Sequence, residues 1–203
     1  MLNLQEVILK MIKLALVGKN IQHSKSPQIY KDLIKQEIEY DLLDYSDHLL
    51  IPSAKSLLQQ YAGISITSPY KKHFLNDVSL TPNAKTLGAI NCLAINGDEV
   101  VGENTDYLAM LDILKRWMNK YHCLNVIVLG DGVMSKVTQH ALSSLSIAFR
   151  VYSRKTSESF NQLNLPHEFL AGFSEDHQKL VINTCAREYV FSGVLNKQIL
   201  FWD

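Results

Sequence analysis

The sequence predicts an α/β fold with mostly parallel sheets, because short β-type runs alternate with amphipathic helical segments along it. The β runs end repeatedly at Gly, Ser, Thr or Asn, which marks strand-to-helix turns. One long amphipathic segment in the middle of the chain separates an earlier set of such units from a later one. The first strand is expected over Lys13–Gly18, and Ser26-Pro27 then opens a helix that runs to Glu37. Ser26 suits the N-cap and Pro27 the first helical position. Strands follow at Tyr40–Tyr45 and Gly63–Thr67, with a helix over Pro52–Tyr61 between them. Ser68-Pro69 reads as another helix opening, to Phe74. Strands at Ala89–Ile95 and Glu99–Gly102 flank Asn96-Gly97-Asp98, a hairpin turn signal that breaks the rhythm. Thr105–Tyr121 carries Tyr107, Leu108, Met110, Leu111, Leu114, Trp117 and Met118 as a strong apolar face. Beyond it come strands at Asn125–Gly130, Phe149–Ser153, Lys179–Asn183 and Ile199–Trp202, with helices at Ser135–Leu145 and Ser157–Leu163. The long helix is the expected connector, dividing the chain into domains 1–104 and 105–203.

Bulk properties narrow the function by exclusion. The 203 residues are 47% apolar, and 20 Lys and Arg balance 20 Asp and Glu. No overall field steers such a chain to nucleic acid or an anionic membrane. No apolar run approaches the ~20 residues of a membrane span. Met1–Ile12 carries Glu6 and Lys10 and has no small-residue cleavage site, so it does not read as a signal peptide. Cys92, Cys123 and Cys185 each lie in an apolar run and read as reduced core thiols of a cytoplasmic protein. No metal site is expected, since the seven histidines show no i, i+4 pairing.

Five polar clusters stand at strand ends. His23-Ser24-Lys25-Ser26-Pro27 puts two hydroxyls beside free backbone N–H groups, which suits a carboxylate or phosphate. Gly63-Ile64-Ser65-Ile66-Thr67-Ser68-Pro69-Tyr70-Lys71-Lys72 places two lysines in an expected first helical turn, against the helix dipole. A lysine in that setting suits proton transfer near neutral pH. In Gly88-Ala89-Ile90-Asn91-Cys92, Asn91 sits in an apolar strand and must face a site or find internal partners. Gly102-Glu103-Asn104-Thr105-Asp106 offers Thr105 as N-cap and Asp106 in the first turn; an acid there, facing a lysine, would form a proton-relaying pair. Gly130-Asp131-Gly132-Val133-Met134-Ser135 follows an apolar strand and precedes a helix, the dinucleotide-binding arrangement with Ser135 in the third glycine's place. At the end of the next strand, Ser153-Arg154-Lys155 suits a ribose 2′-phosphate, which favours NADP over NAD.

Taken in order, these clusters resemble the shikimate dehydrogenase family, whose signatures are H-S-x-S-P, G-x-N-V-T-x-P-x-K, G-A-x-N, G-x-N-T-D, a G-A-G-G-A loop and N-R-T. The resemblance runs from about Leu14 to the end of the chain. It implies an N-terminal α/β substrate-binding domain and a C-terminal Rossmann-type domain for NADP. The implied reaction is the interconversion of 3-dehydroshikimate and shikimate, a step of aromatic amino-acid biosynthesis. Ser24 and Ser26, with Thr67, then hold the substrate carboxylate, and Asn91 hydrogen-bonds its hydroxyls. Lys71 is the catalytic lysine and Asp106 its acidic partner. Gly130, Gly132 and Ser135 form the pyrophosphate turn, while Ser153, Arg154 and Lys155 meet the 2′-phosphate.

The chain departs from the family pattern at several positions. Ser65 replaces an asparagine, and Tyr107 a glycine, adding bulk beside Asp106. Asp131 and Val133 replace the alanine and a glycine of the phosphate loop, with Lys136 near enough in sequence to offset the new carboxylate. The sequence ends at Asp203, without the family's closing helices and their substrate-contacting glutamine. A homodimer, or a mobile open pair of domains, is the expected consequence. Met1–Lys10 precedes the point where the family usually begins, so Met11 is an alternative start. The rival readings are a degenerate member that binds a shikimate-like acid without turnover, and a dehydrogenase of quinate or an aminated analogue.

Overall fold

β1 (Ile12–Gly18) is an inner strand of a six-stranded sheet, one place from its edge. In the computed structural model, which describes residues 11–155, 160–185 and 189–203, the chain divides into two compact units, Met1–Thr105 and Asp106–Asp203. In the first unit β1 is followed by α1 (Ser26–Leu33), β2 (Ile38–Asp44), a 3₁₀ turn at His48–Leu50, α2 (Ala54–Leu58) and β3 (Gly63–Ile66). Then come β4 (Ser79–Leu80), α3 (Pro82–Leu87), β5 (Cys92–Asn96) and β6 (Glu99–Glu103). The sheet order is β2-β1-β3-β5-β6-β4. β2, β1 and β3 are parallel, whereas β5 runs antiparallel to β3 and β6, so the sheet is mixed. The hairpin signal accounts for the reversal: Gly97 takes φ +62° between β5 and β6.

Period-two alternation decides which face is core. Ala15 and Val17 of β1 are fully buried with Ile64 and Ile66 of β3 against Leu57, Leu58, Phe74 and Leu93. Each large side chain buried this way contributes about 1.5–3 kcal/mol. The opposite face carries Leu14, Leu16, Tyr40 and Ser65, as the register Leu14↔Tyr40, Leu14↔Gly63 and Leu16↔Ser65 requires.

α4 (Thr105–Tyr121) matches the expected bounds and buries Tyr107, Met110 and Leu114 at helical spacing. The second unit continues with β7 (Leu124–Leu129), α5 (Val133–Ser144), β8 (Ala148–Tyr152), a 3₁₀ turn at Phe160–Gln162, α6 (Leu165–Leu170), β9 (Gln178–Asn183) and β10 (Ile199–Trp202). Its four strands are all parallel, in the order β10-β9-β7-β8. All six residues of β7 are buried, as expected of a central parallel strand.

Several expected elements differ. The segment from Pro69 to Phe74 is not helical. It is a run of turns closed by Tyr70 N–H to Thr67 O, His73 N–H to Tyr70 O and Asp77 N–H to Phe74 O, after a cis Ser68–Pro69 bond. Tyr70 and Phe74 are both drawn into the core, and no helix dipole acts on Lys71. α1 stops at Leu33, where Ile34 turns extended to lead into β2. The helix expected over Pro52–Tyr61 is the shorter α2, capped by Ser53 Oγ. α3 carries legible signals: Thr81 Oγ1 accepts from Ala84 N–H, Pro82 opens the helix and Gly88 closes it at φ +58°. Of the helix expected over Ser157–Leu163, residues 157–159 lie outside the described residues, and Phe160–Gln162 is 3₁₀. The Met1–Lys10 segment also lies outside them. The cysteines are not all core thiols, since Cys123 is exposed and the other two are half-buried. No helix among the described residues is long and apolar enough to cross a membrane.

Candidate functional site

In each unit the strand order reverses beside the first strand, between β1 and β3 and between β7 and β9. Open α/β sheets bind ligands at such switch points, beyond the carboxyl ends of the strands. The sequence-predicted residues fall at both places.

In the first unit the chain leaves β1 at Gly18. A Cβ there would lie 2.6 Å from Thr67 Cγ2, so only glycine lets the end of β3 come this close. Asp44, at the end of β2, clamps the next turn by accepting from Asn20 N–H at 2.8 Å and Ile21 N–H at 3.0 Å. Asn20 itself sits at φ +56°. This clamp sets the course of the loop that carries Ser24 and Ser26. Ser26 is not the N-cap: Lys25 holds that place, without a side-chain cap bond, and Ser26 is the first residue of α1. Its hydroxyl is therefore not spent on the helix. Ser24 Oγ accepts from Ser26 N–H at 3.2 Å and donates to Ser26 Oγ at 3.1 Å.

Thr67, Lys71 and Asn91 are tied together through the backbone. Thr67 N–H donates to Val17 O, Ile66 N–H to Asn91 O and Ile90 N–H to Lys71 O. Asn91 precedes β5 rather than lying within it. Its Oδ1 accepts from Thr105 N–H at 2.8 Å and from Thr105 Oγ1 at 3.0 Å, which leaves its amide group as the donor. Thr105 is thus the first residue of α4 and not its cap, and Asp106 follows in the first turn. Tyr107 is buried, its ring 4.8 Å from that of His140 and its hydroxyl 3.0 Å from Ser144 Oγ.

In the second unit Gly130 follows β7 at φ +111°, and a Cβ on it would lie 2.8 Å from Thr184 Oγ1. Ser135 is fully buried and donates to Gly130 O at 2.8 Å, holding the turn to α5. α5 starts at Val133 with Gly132 as N-cap, has no side-chain cap bond and no acid in its first turn. The helix dipole at this end favours an anion. After β8, Ser153 is buried and accepts from Lys155 N–H. Lys155 Nζ pairs with Asp131 at 2.8 Å, so the cation that meets this carboxylate is Lys155 and not Lys136. That hydrogen bond, with the charges of Lys155 and Arg154, holds the Asp131 carboxyl below its ordinary value. Gly130, Asp131, Gly132, Ser153, Arg154 and Thr184 line a cavity of about 410 Å³, joined by Phe160, Cys185 and Tyr189. Burial pushes the Cys185 thiol and the Tyr189 hydroxyl up. Among the described residues no cluster of His, Cys, Asp or Glu could hold a metal.

Sequence reasoning missed Gly18, Asp44, Tyr30 and Tyr40. Asp44 carries a faint signal, an acid closing a β run, but its partners lie more than twenty residues away.

A model of the shikimate dehydrogenase substrate binding domain matches residues 16–93. The shikimate dehydrogenase (NADP(+)) of Oceanobacillus iheyensis is 31% identical over 193 residues, covering 86% of this chain and 69% of that protein. The enzyme of the same description from Clostridium botulinum strain Hall is 28% identical over 138 residues, 64% of this chain. The chain spans about half, 53%, of that relative's length. Among solved structures, shikimate 5-dehydrogenase from Thermus thermophilus, in complex with NADP(H) and shikimate, superposes with a TM-score of 0.66. At 24% identity, with 86% of this chain and 69% of that one covered, this likeness shows the shared fold.

Proposed function

The chain belongs to the shikimate dehydrogenase family, and on that premise we propose that it interconverts 3-dehydroshikimate and shikimate with NADP. The carrying observation is the first unit's strand-end cluster, where the hydroxyls of Ser24 and Ser26 stand on the loop that leaves β1 at Gly18, beside Thr67. Lys71 and Asn91 are tied to the same strand end. Neutral donors beside Lys71 suit a ring acid bearing several hydroxyls. Ser24, Ser26 and Thr67 bind the carboxylate, and the Asn91 amide donates to a ring hydroxyl. Lys71 holds the proton that passes to the carbonyl oxygen on reduction and returns on oxidation. Asp106 is its acidic partner.

The residues of the second unit fit NADP. Gly130 lets the turn lie close against Thr184, the α5 N-terminus has no side-chain cap, and the Asp131 charge is offset by Lys155. Gly130, Gly132 and Ser135 shape the pyrophosphate turn, with Ser153, Arg154 and Lys155 set for the 2′-phosphate. When bound, the nicotinamide supplies or accepts the hydride. Cys92, Cys123 and Cys185 are all free, which agrees with a cytoplasmic protein. The reading extends to a homodimer, with exposed Val190 and Phe201 near Phe191 as apolar contact; light scattering of a monomer at every concentration would remove it. The activity is tested by NADP-linked oxidation of shikimate beside direct shikimate titration. Turnover supports it, whereas binding without turnover assigns the chain to the non-catalytic binders.

A further inference from the structure

Tyr40 of β2 and Ser65 of β3 lie on one face of the sheet, on either side of β1. Tyr30 of α1 covers them, its ring 4.9 Å from that of Tyr40 and its hydroxyl 3.5 Å from Ser65 Oγ. The Tyr40 hydroxyl is buried and has no hydrogen-bond partner within reach among the described residues. Ser26 stands one helical turn before Tyr30 on α1, on the same side of the helix as the ring that covers Tyr40. The group keeps its proton at neutral pH and is a donor without an acceptor. Folded proteins rarely leave such a group standing.

Proton counting at the two serines shows where the acceptor comes from. A serine hydroxyl has one proton to give. Ser24 now gives its proton to Ser26 Oγ. A carboxylate gripped by both serines needs both protons, so Ser24 must turn away and Ser26 Oγ loses the bond it accepts. We propose that Tyr40 is a positioning residue for the anion site at Ser24 and Ser26. Its hydroxyl donates to Ser26 Oγ as Ser24 turns to an incoming carboxylate, which leaves the Ser26 proton aimed at the ligand. The inference rests on the carboxylate reading of that site, and it adds a residue that never touches the ligand itself.

The test is Tyr40→Phe, which keeps the ring against Tyr30 and removes only the hydroxyl. The KM for shikimate should rise about 2- to 10-fold, the range of one neutral hydrogen bond. Turnover number and the KM for NADP should stay unchanged, and the melting temperature should not fall. In a Ser26→Ala background the same substitution should change KM little, because the two residues act through one bond. An unchanged KM in the wild-type background, or an equal rise in the Ser26→Ala background, overturns the proposal. So does a lowered melting temperature with a KM effect that persists without Ser26. Thermal shifts with a panel of cyclic carboxylates, taken without cofactor, separate this from the proposed function. If shikimate fails but another ring acid stabilises the protein, the enzymatic reading falls, and the Tyr40–Ser26 coupling is decided on that acid. If no carboxylate stabilises it, both fall.

Discussion

The two crevices share a construction and differ in charge. Gly18 ends β1 and Gly130 follows β7, each beside a threonine at the end of the neighbouring parallel strand. Thr67 N–H donates to Val17 O and Thr184 N–H to Leu129 O, both at 2.9 Å. In each case a Cβ on the glycine would collide with that threonine. The surroundings then diverge. Ser24, Ser26 and Asn91 make the first crevice largely neutral, whereas Asp131, Arg154 and Lys155 make the second ionic. On the proposed reading, one topology offers neutral donors to a hydroxyl-bearing ligand in one unit and cations to a polyanion in the other. The match to the substrate-domain model lies wholly in the neutral one.

The hardest test of that division is Lys71→Ala. It should lower turnover by about two to four orders of magnitude and leave NADP affinity as it was. Near-normal turnover would deprive the first crevice of its chemistry. Arg154→Ala should do the opposite, weakening NADP about 10- to 100-fold through the loss of a charge-assisted hydrogen bond with little effect on NAD. Titration showing that the wild type prefers NAD would undo the assignment of the ionic crevice.

The paired glycines sharpen the comparison. Gly130→Ala meets both a collision and a left-handed backbone, worth about 1–3 kcal/mol, and should lower the melting temperature together with NADP affinity. Gly18→Ala meets a collision alone, of the order of 1–3 kcal/mol as for other overpacked sites, and should raise the KM for shikimate. Calorimetry with both ligands would expose a failure if either variant disturbed the other crevice more than its own.

The smallest effect concerns pH. Asp131 has a lowered carboxyl pKa in the fold, so its pairing with Lys155 stabilises above the unfolded value near 3.8. That contribution is lost as pH falls through the lower folded value. Asp131→Asn should therefore be slightly less stable than wild type at neutral pH and equal to it in strong acid. A difference that grew on acidification would contradict the pairing.

Strand ends were legible because chemistry and local geometry coincide there. Ser24, Ser26, Thr67, Gly130 and Arg154 all stand where an apolar run stops, and a run's end can be read from adjacent residues. The long α4 was legible for the same reason, its apolar spacing persisting over four turns. The stretch after Pro69 misled because Ser-Pro opens helices and tight turns alike, and the burial of Tyr70 and Phe74 decided between them. The sequence by itself determined the alternation of elements, the hydroxyl loop and the Gly-x-Gly turn. The tertiary structure alone decided that Asp44 holds the serine loop, that Lys155 meets Asp131, and that the Tyr30 hydroxyl meets Ser65 Oγ. Those are contacts between residues more than twenty apart, set by strand register and packing, and no local periodicity reports them.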